Sequence, residues 1–184
     1  PRVLTCQGSG TNGTRPAYNT RIAGVWAEHS LDAATFGADY CSMILDSSDN
    51  VYVTIHREGL GHVYYYKSVN DGSSFSFTDI TISGTTDIGT GSLQISLDSS
   101  NVPYITGTLK TGSGGNTGAL FRINASTSAV TVVDAATTCH PIGYVNDGTY
   151  HNYFYSKSST DRYTFENSVT VTNPTTSAVQ ETYP

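Results

Sequence analysis

Tyrosine is the residue type here whose placement most suggests recognition chemistry. Tyr64, Tyr65 and Tyr66 are consecutive, and Tyr150, Tyr153 and Tyr155 form a second cluster. In a strand, neighbouring side chains point to opposite faces, so Tyr64 and Tyr66 share one face and Tyr65 takes the other. An exposed phenol ring offers a flat apolar face to a sugar and keeps its hydroxyl wet. Tyr64, Tyr66, Tyr153 and Tyr155 are therefore the candidate ligand-binding residues. The plainer account is that Tyr packs well on a pleated surface.

Other chemistry is thinner. His56 and His62 flank Arg57-Glu58-Gly59-Leu60-Gly61 and fall at one hairpin end, but no third ligand has metal-site spacing. His140 and His151 have no evident partner in the sequence. Asp46-Ser47-Ser48-Asp49-Asn50 could offer oxygen ligands to Ca2+ through Asp46 and Asp49. An ordinary turn held by its own side chains is the stronger reading of that run. The glycine-rich Gly112-Ser113-Gly114-Gly115-Asn116 is flanked by strands and lacks the helix start that a phosphate loop needs. No catalytic residue and no metal or cofactor is otherwise expected. Cys6, Cys41 and Cys139 make no C-x-x-C pair. A bridge from Cys6 to Cys41 or Cys139 is one reading, and three buried thiols is another.

These side chains must be carried by strands. Only 13% of the 184 residues are charged, about half the usual share, so helix surfaces rich in Glu and Lys are ruled out. Thr, Val, Ile and Tyr take their place. With a net charge of −6 and no basic stripe, nucleic-acid binding is not expected. The apolar runs are too short to span a membrane as helices, so no membrane insertion is expected.

From Cys41 onward the sequence repeats. Leu45-Asp46-Ser47-Ser48 recurs 52 residues later as Leu97-Asp98-Ser99-Ser100, and Tyr52-Val53-Thr54 recurs as Tyr104-Ile105-Thr106. A weaker third copy runs from Ile142 through Asn146-Asp147-Gly148 to Tyr155. Each unit reads as a four-stranded meander of roughly 45–52 residues, the spacing of propeller blades. The approximate units are 41–86, 87–135 and 136–184. Residues 1–40 read as an N-terminal arm, with a helical turn among Val25-Trp26-Ala27 and Leu31 to Phe36, capped by Asp32. The lone Trp26 lies here, so this arm is also read as a docking segment, expected to dock on something apolar. The fold class is all-β: an incomplete propeller or sandwich-like array.

Ser68-Val69-Asn70-Asp71-Gly72-Ser73-Ser74-Phe75 resembles the Asp-box, or BNR repeat, of sialidases and related propellers. Asn70 stands for the usual Asp, Ser74 for Thr and Phe75 for Trp. Ser68, Asn70, Gly72, Ser74 and Phe75 form the structural turn that the resemblance implies, between the third and fourth strands of a blade. A sialidase-like enzyme would need an arginine cluster for a substrate carboxylate, and Arg57, Arg122 and Arg162 occur one per unit. Arg57 follows a second strand while the others lie in third strands, so they are not expected to converge. The box implies a fold rather than a reaction.

Three blades do not close a ring, and open sheet edges invite pairing. The first functional expectation is therefore a non-enzymatic structural protein, extracellular or on a virion surface, that self-assembles into a fibre, tube or appendage. Its partners would be copies of itself, with the arm or the Asn173–Pro184 tail adding a strand to a neighbour. The alternative is a carbohydrate-binding module or adhesin. A second alternative is a sialidase-like glycosidase fragment.

Overall fold

The computed structural model describes residues 2–5, 16–31, 38–57, 62–82, 88, 93–109, 118–146, 150–156, 163–168 and 176–179. Side chains at 22, 30, 38–39, 57, 134–142, 154, 156, 163–168 and 176–179 lie outside the description. Among the described residues there are fourteen β-strands and no helix. All the strand pairs are antiparallel, and strand order in each sheet follows the chain. The expected all-β, propeller-like architecture is the one observed.

The first sheet joins β1 (Arg2–Thr5), β2 (Ala17–Ile22) and β3 (Val25–Ser30). The second joins β4 (Ala38–Leu45), β5 (Val51–Arg57), β6 (His62–Ser68) and β7 (Ser76–Thr81). Next come β8 (Gln94–Leu97), β9 (Pro103–Thr108) and β10 (Gly118–Asn124), then the 18-residue β11 (Ala129–Asn146). Finally β12 (His151–Ser156), β13 (Tyr163–Ser168) and β14 (Thr176–Val179) complete a seven-stranded sheet. The first part of β11 pairs with β10 and the last part with β12, so one strand serves two meanders and the 135/136 boundary falls inside it.

Period-2 alternation builds the core between these sheets. Val51, Val53, Ile55, Tyr64 and Tyr66 pack with Tyr18, Leu31 and Leu4 of the N-terminal segment. Tyr52, Val63, Tyr65 and Ile80 face the other way, onto Ile95, Ile105, Phe121 and Ile123. On the far side of that next sheet, Tyr104 and Leu120 meet Tyr144, Tyr153 and Tyr155. The two central meanders are thus covered on both faces, which explains why β9 is buried at all six positions and carries no charge. Serine hydroxyls join first strands of successive meanders. Ser42 on β4 accepts the Ile95 N–H at 3.3 Å, and Ser96 on β8 accepts the Asn146 N–H at 3.0 Å.

Two expectations about the termini are corrected. Val25-Trp26-Ala27 lies in β3, because a hairpin at Ala23 (φ 50°) and Gly24 (φ 84°) pairs Ile22 with Val25. Two positive φ values are what a two-residue hairpin turn needs, and they outweigh the weak helical pattern. Residues 32–37, with the Asp32 cap, lie outside the described residues. The segment taken as a loose arm therefore contains a sheet of its own. At the other end, Thr176–Val179 of the supposed donor tail pairs with β13, Val179 opposite Phe165.

Candidate functional site

The N-terminal sheet has two unlike faces. Tyr18 points inward and is fully buried, edge-on to Phe75 with ring centroids 5.6 Å apart. Burying a ring of this kind contributes roughly 2 kcal/mol or more. Arg2 adds a second tie, with Nε donating to Asp71 Oδ1 at 2.8 Å and Nη1 to Asp49 Oδ1 at 3.1 Å. The sheet is thus held against the β4–β7 sheet from behind.

Its outer face carries a groove of about 330 Å³ lined by Val3, Thr5, Asn19, Trp26 and Glu28. Register explains the grouping. Val3 lies opposite Asn19, Asn19 opposite Glu28, and Arg21 opposite Trp26. Alternation then puts these residues and Thr5 on one face. Trp26 is 50% exposed, so the N-terminal segment docks through Tyr18, Leu31 and Leu4 and not through its Trp. It sits on β3, an edge strand of its sheet among the described residues. The Arg21 guanidinium lies 6.0 Å from the Trp26 ring centroid, and its Nε donates to the Gly24 carbonyl at 3.2 Å. That contact steadies the indole through a cation–π attraction. Asn19 Nδ2 donates to Thr5 Oγ1 at 3.3 Å, and Thr5 Oγ1 donates to the Ala17 carbonyl at 3.2 Å. The groove so combines a flat aromatic platform, a carboxylate, an amide and a hydroxyl. Groups of these kinds can stack on an apolar ring face and hydrogen-bond hydroxyls at its rim.

The sequence reasoning missed this site. The signal was available in Ala23-Gly24 between two six-residue runs, and in the alternation Trp26, Glu28, Ser30. The candidate tyrosines went elsewhere. Tyr64 is 7% exposed, Tyr66 1%, Tyr153 1% and Tyr155 0%. None of the four presents a face to solvent, because each lies in a core cluster packed against a neighbouring segment. Tyr64 and Tyr66 do share a face, with Tyr65 on the other, as alternation requires.

The Ser68–Phe75 loop is held from within. Asn70 Oδ1 accepts the Ser74 N–H at 3.0 Å, and Ser68 Oγ accepts the Gly72 N–H at 2.8 Å. Gly72 has φ +81°, and Phe75 packs on Tyr18. The repeated Leu-Asp-Ser-Ser turns match as well. Asp46 Oδ1 accepts from Ser48 and Asn50 N–H, and Asp98 Oδ1 accepts from Ser100 and Val102 N–H. Burial opposes ionisation of Asp46, yet these bonds and those from the Asn50 and Tyr52 side chains hold its pKa below 3.8. Both Asp46 oxygens are engaged by protein donors, and Asp49 pairs with Arg2. Among the described residues no group of three His, Cys, Asp or Glu side chains is placed to hold a metal ion.

Arg122 is 5% exposed and lies in the interface between the second and third meanders. Its Nη1 donates to Tyr153 Oη at 3.5 Å, and its guanidinium lies 5.8 Å from the Tyr104 ring centroid. Among the described residues no carboxylate is within ion-pair distance of it. Burial raises the Tyr153 hydroxyl to about 12, against the lowering effect of Arg122. His151, which lacked an evident partner in the sequence, has its Nδ1 2.6 Å from Tyr144 Oη. The side chains of Arg57 and Arg162 lie outside the described residues, so their convergence with Arg122 does too. His62 bonds Asp79 at 2.7 Å while His56 is buried. Cys41 is disulfide-bonded. Cys6 and the Cys139 side chain lie outside the described residues.

No protein-family profile and no curated protein sequence matches the chain. Ten solved chains match it in structure. One is an exo-β-1,3-galactanase from Phanerochaete chrysosporium, determined with β-1,3-galactotriose. Its TM-score is 0.52 at 13% identity, covering 91% of this chain and 44% of that one. Another is a bifunctional GH43-CE protein from Bacteroides eggerthii, with a TM-score of 0.47 at 11% identity, covering 93% of this chain and 26% of that one. The chain spans less than half the length of either. The likeness to the galactanase, a β-propeller enzyme, shows a shared fold.

Proposed function

We propose that this chain is a carbohydrate-binding β-propeller module whose ligand lies in the groove around Trp26. The observation that carries the reading is a half-exposed indole beside Glu28, Asn19 and Thr5 on a docked sheet. Fold likeness to a galactan-degrading enzyme supports a carbohydrate ligand in general terms. The loop at Ser68–Phe75, read as a degenerate Asp-box, supports the same setting. A disulfide at Cys41 fits an oxidising compartment, and hence a site of action outside the cell.

Self-assembly has less behind it. Its motive was a detachable arm and a free tail, whereas β1–β3 form a sheet docked by Tyr18 and β14 pairs within its own sheet. A sialidase-like reaction is also less favoured, since buried Arg122 faces Tyr104 and Tyr153 rather than a cleft.

A glycan array tests the reading, followed by calorimetric titration of the best ligand. We expect saturable binding that Trp26→Ala weakens about tenfold or more, equivalent to about 1.4 kcal/mol. An array with no enrichment, or full affinity in Trp26→Ala, would sink it.

A further inference from the structure

We infer that the Trp26 groove selects a neutral oligosaccharide of two to three rings and discriminates against uronic-acid chains. This rests on the carbohydrate reading above and names its ligand class. Three observations carry it. Glu28 is the one charged residue in the groove lining, and it is exposed. Arg21, the nearby cation, lies over the indole and bonds Gly24 through Nε, outside the lining. The chain as a whole carries −6, so the wider field adds to the bias against anions.

Length follows from the register. Trp26, the Asn19–Glu28 pair and Thr5 occupy three successive rows on one face. Two row spacings at about 3.4 Å rise per residue span roughly 13 Å, the length of about two to three pyranose rings in series. Trp26 takes the apolar face of one ring. Glu28 accepts from, and Asn19 bonds to, hydroxyls of the next. A carboxylate on either ring would meet the like charge of Glu28 across a short distance.

The test is calorimetry at low salt on the full chain, with cellotriose, xylotriose, galactotriose and trigalacturonate, and with the dimer and tetramer of any sugar that binds. We expect at least one neutral trimer to bind about fivefold or more tightly than trigalacturonate. Affinity should rise from dimer to trimer and level off at the tetramer. Glu28→Gln should narrow the gap by strengthening trigalacturonate, and added salt should narrow it in the wild type. Trigalacturonate binding as tightly as every neutral trimer, or a gap unmoved by Glu28→Gln, overturns this inference while leaving the carbohydrate reading intact. Absence of binding by any probe or array glycan overturns that reading, and this inference with it.

Discussion

Gly72 lies directly under the ring of Tyr18, so close that a Cβ at position 72 would overlap Cε1 and Cδ1 of the phenol. The contact joins two segments far apart in sequence: a turn between β6 and β7, and the start of β2. Gly72 is needed twice, for its φ of +81° and for the space. Through this contact the turn seats the sheet whose outer face carries Trp26.

Gly72→Ala should therefore destabilise the protein by about 2–4 kcal/mol, combining backbone strain with overpacking. Urea unfolding measures it. In a Tyr18→Leu background the steric part should shrink, giving a coupling energy of about 1 kcal/mol or more. Additive effects of the two substitutions would mean that the ring moves aside freely.

Asp46 should give the protein an acid-sensitive component of stability. Its folded pKa is depressed below 3.8, because hydrogen bonds to the carboxylate outweigh desolvation. The folded state thus binds its proton less readily than the unfolded one. The stability it adds is complete above pH 3.8 and is lost as pH falls through the lower folded value. Asp46→Asn should be less stable at neutral pH and lose less on acidification from pH 5 to pH 2. Thermal melts across that range check both points. A parallel loss in the two proteins would remove Asp46 from the account.

Arg122 should be replaceable by an apolar side chain of similar length. Its cation is desolvated, and its described contacts are a long hydrogen bond to Tyr153 and the Tyr104 ring. Removing it leaves no buried carboxylate orphaned among the described residues. Arg122→Met should lie within about 1 kcal/mol of wild type or be more stable. Arg122→Ala should cost about 2 kcal/mol or more through the cavity it leaves. Denaturant midpoints decide. A severe loss in the Met variant would show that the charge itself holds the interface.

The all-β class, the meander rhythm and the turns were legible in the sequence because each is set locally. Leu45-Asp46-Ser47-Ser48 and Leu97-Asp98-Ser99-Ser100 give matching turns since one carboxylate oxygen bonds N–H groups two and four residues ahead. Alternation likewise assigned Tyr65 to one face and Tyr64 and Tyr66 to the other. What sequence alone left open was which faces would be covered. An exposed Tyr64 and a buried Tyr64 have the same neighbours along the chain. Only the arrival of Tyr18 and Leu31 from the N-terminal segment buries it. Trp26 is the converse. Its type suggested burial, yet it lies on an edge strand and is half exposed among the described residues. Whether a ring becomes core or platform depends on what packs against it, and that is a long-range property that tertiary structure alone supplies.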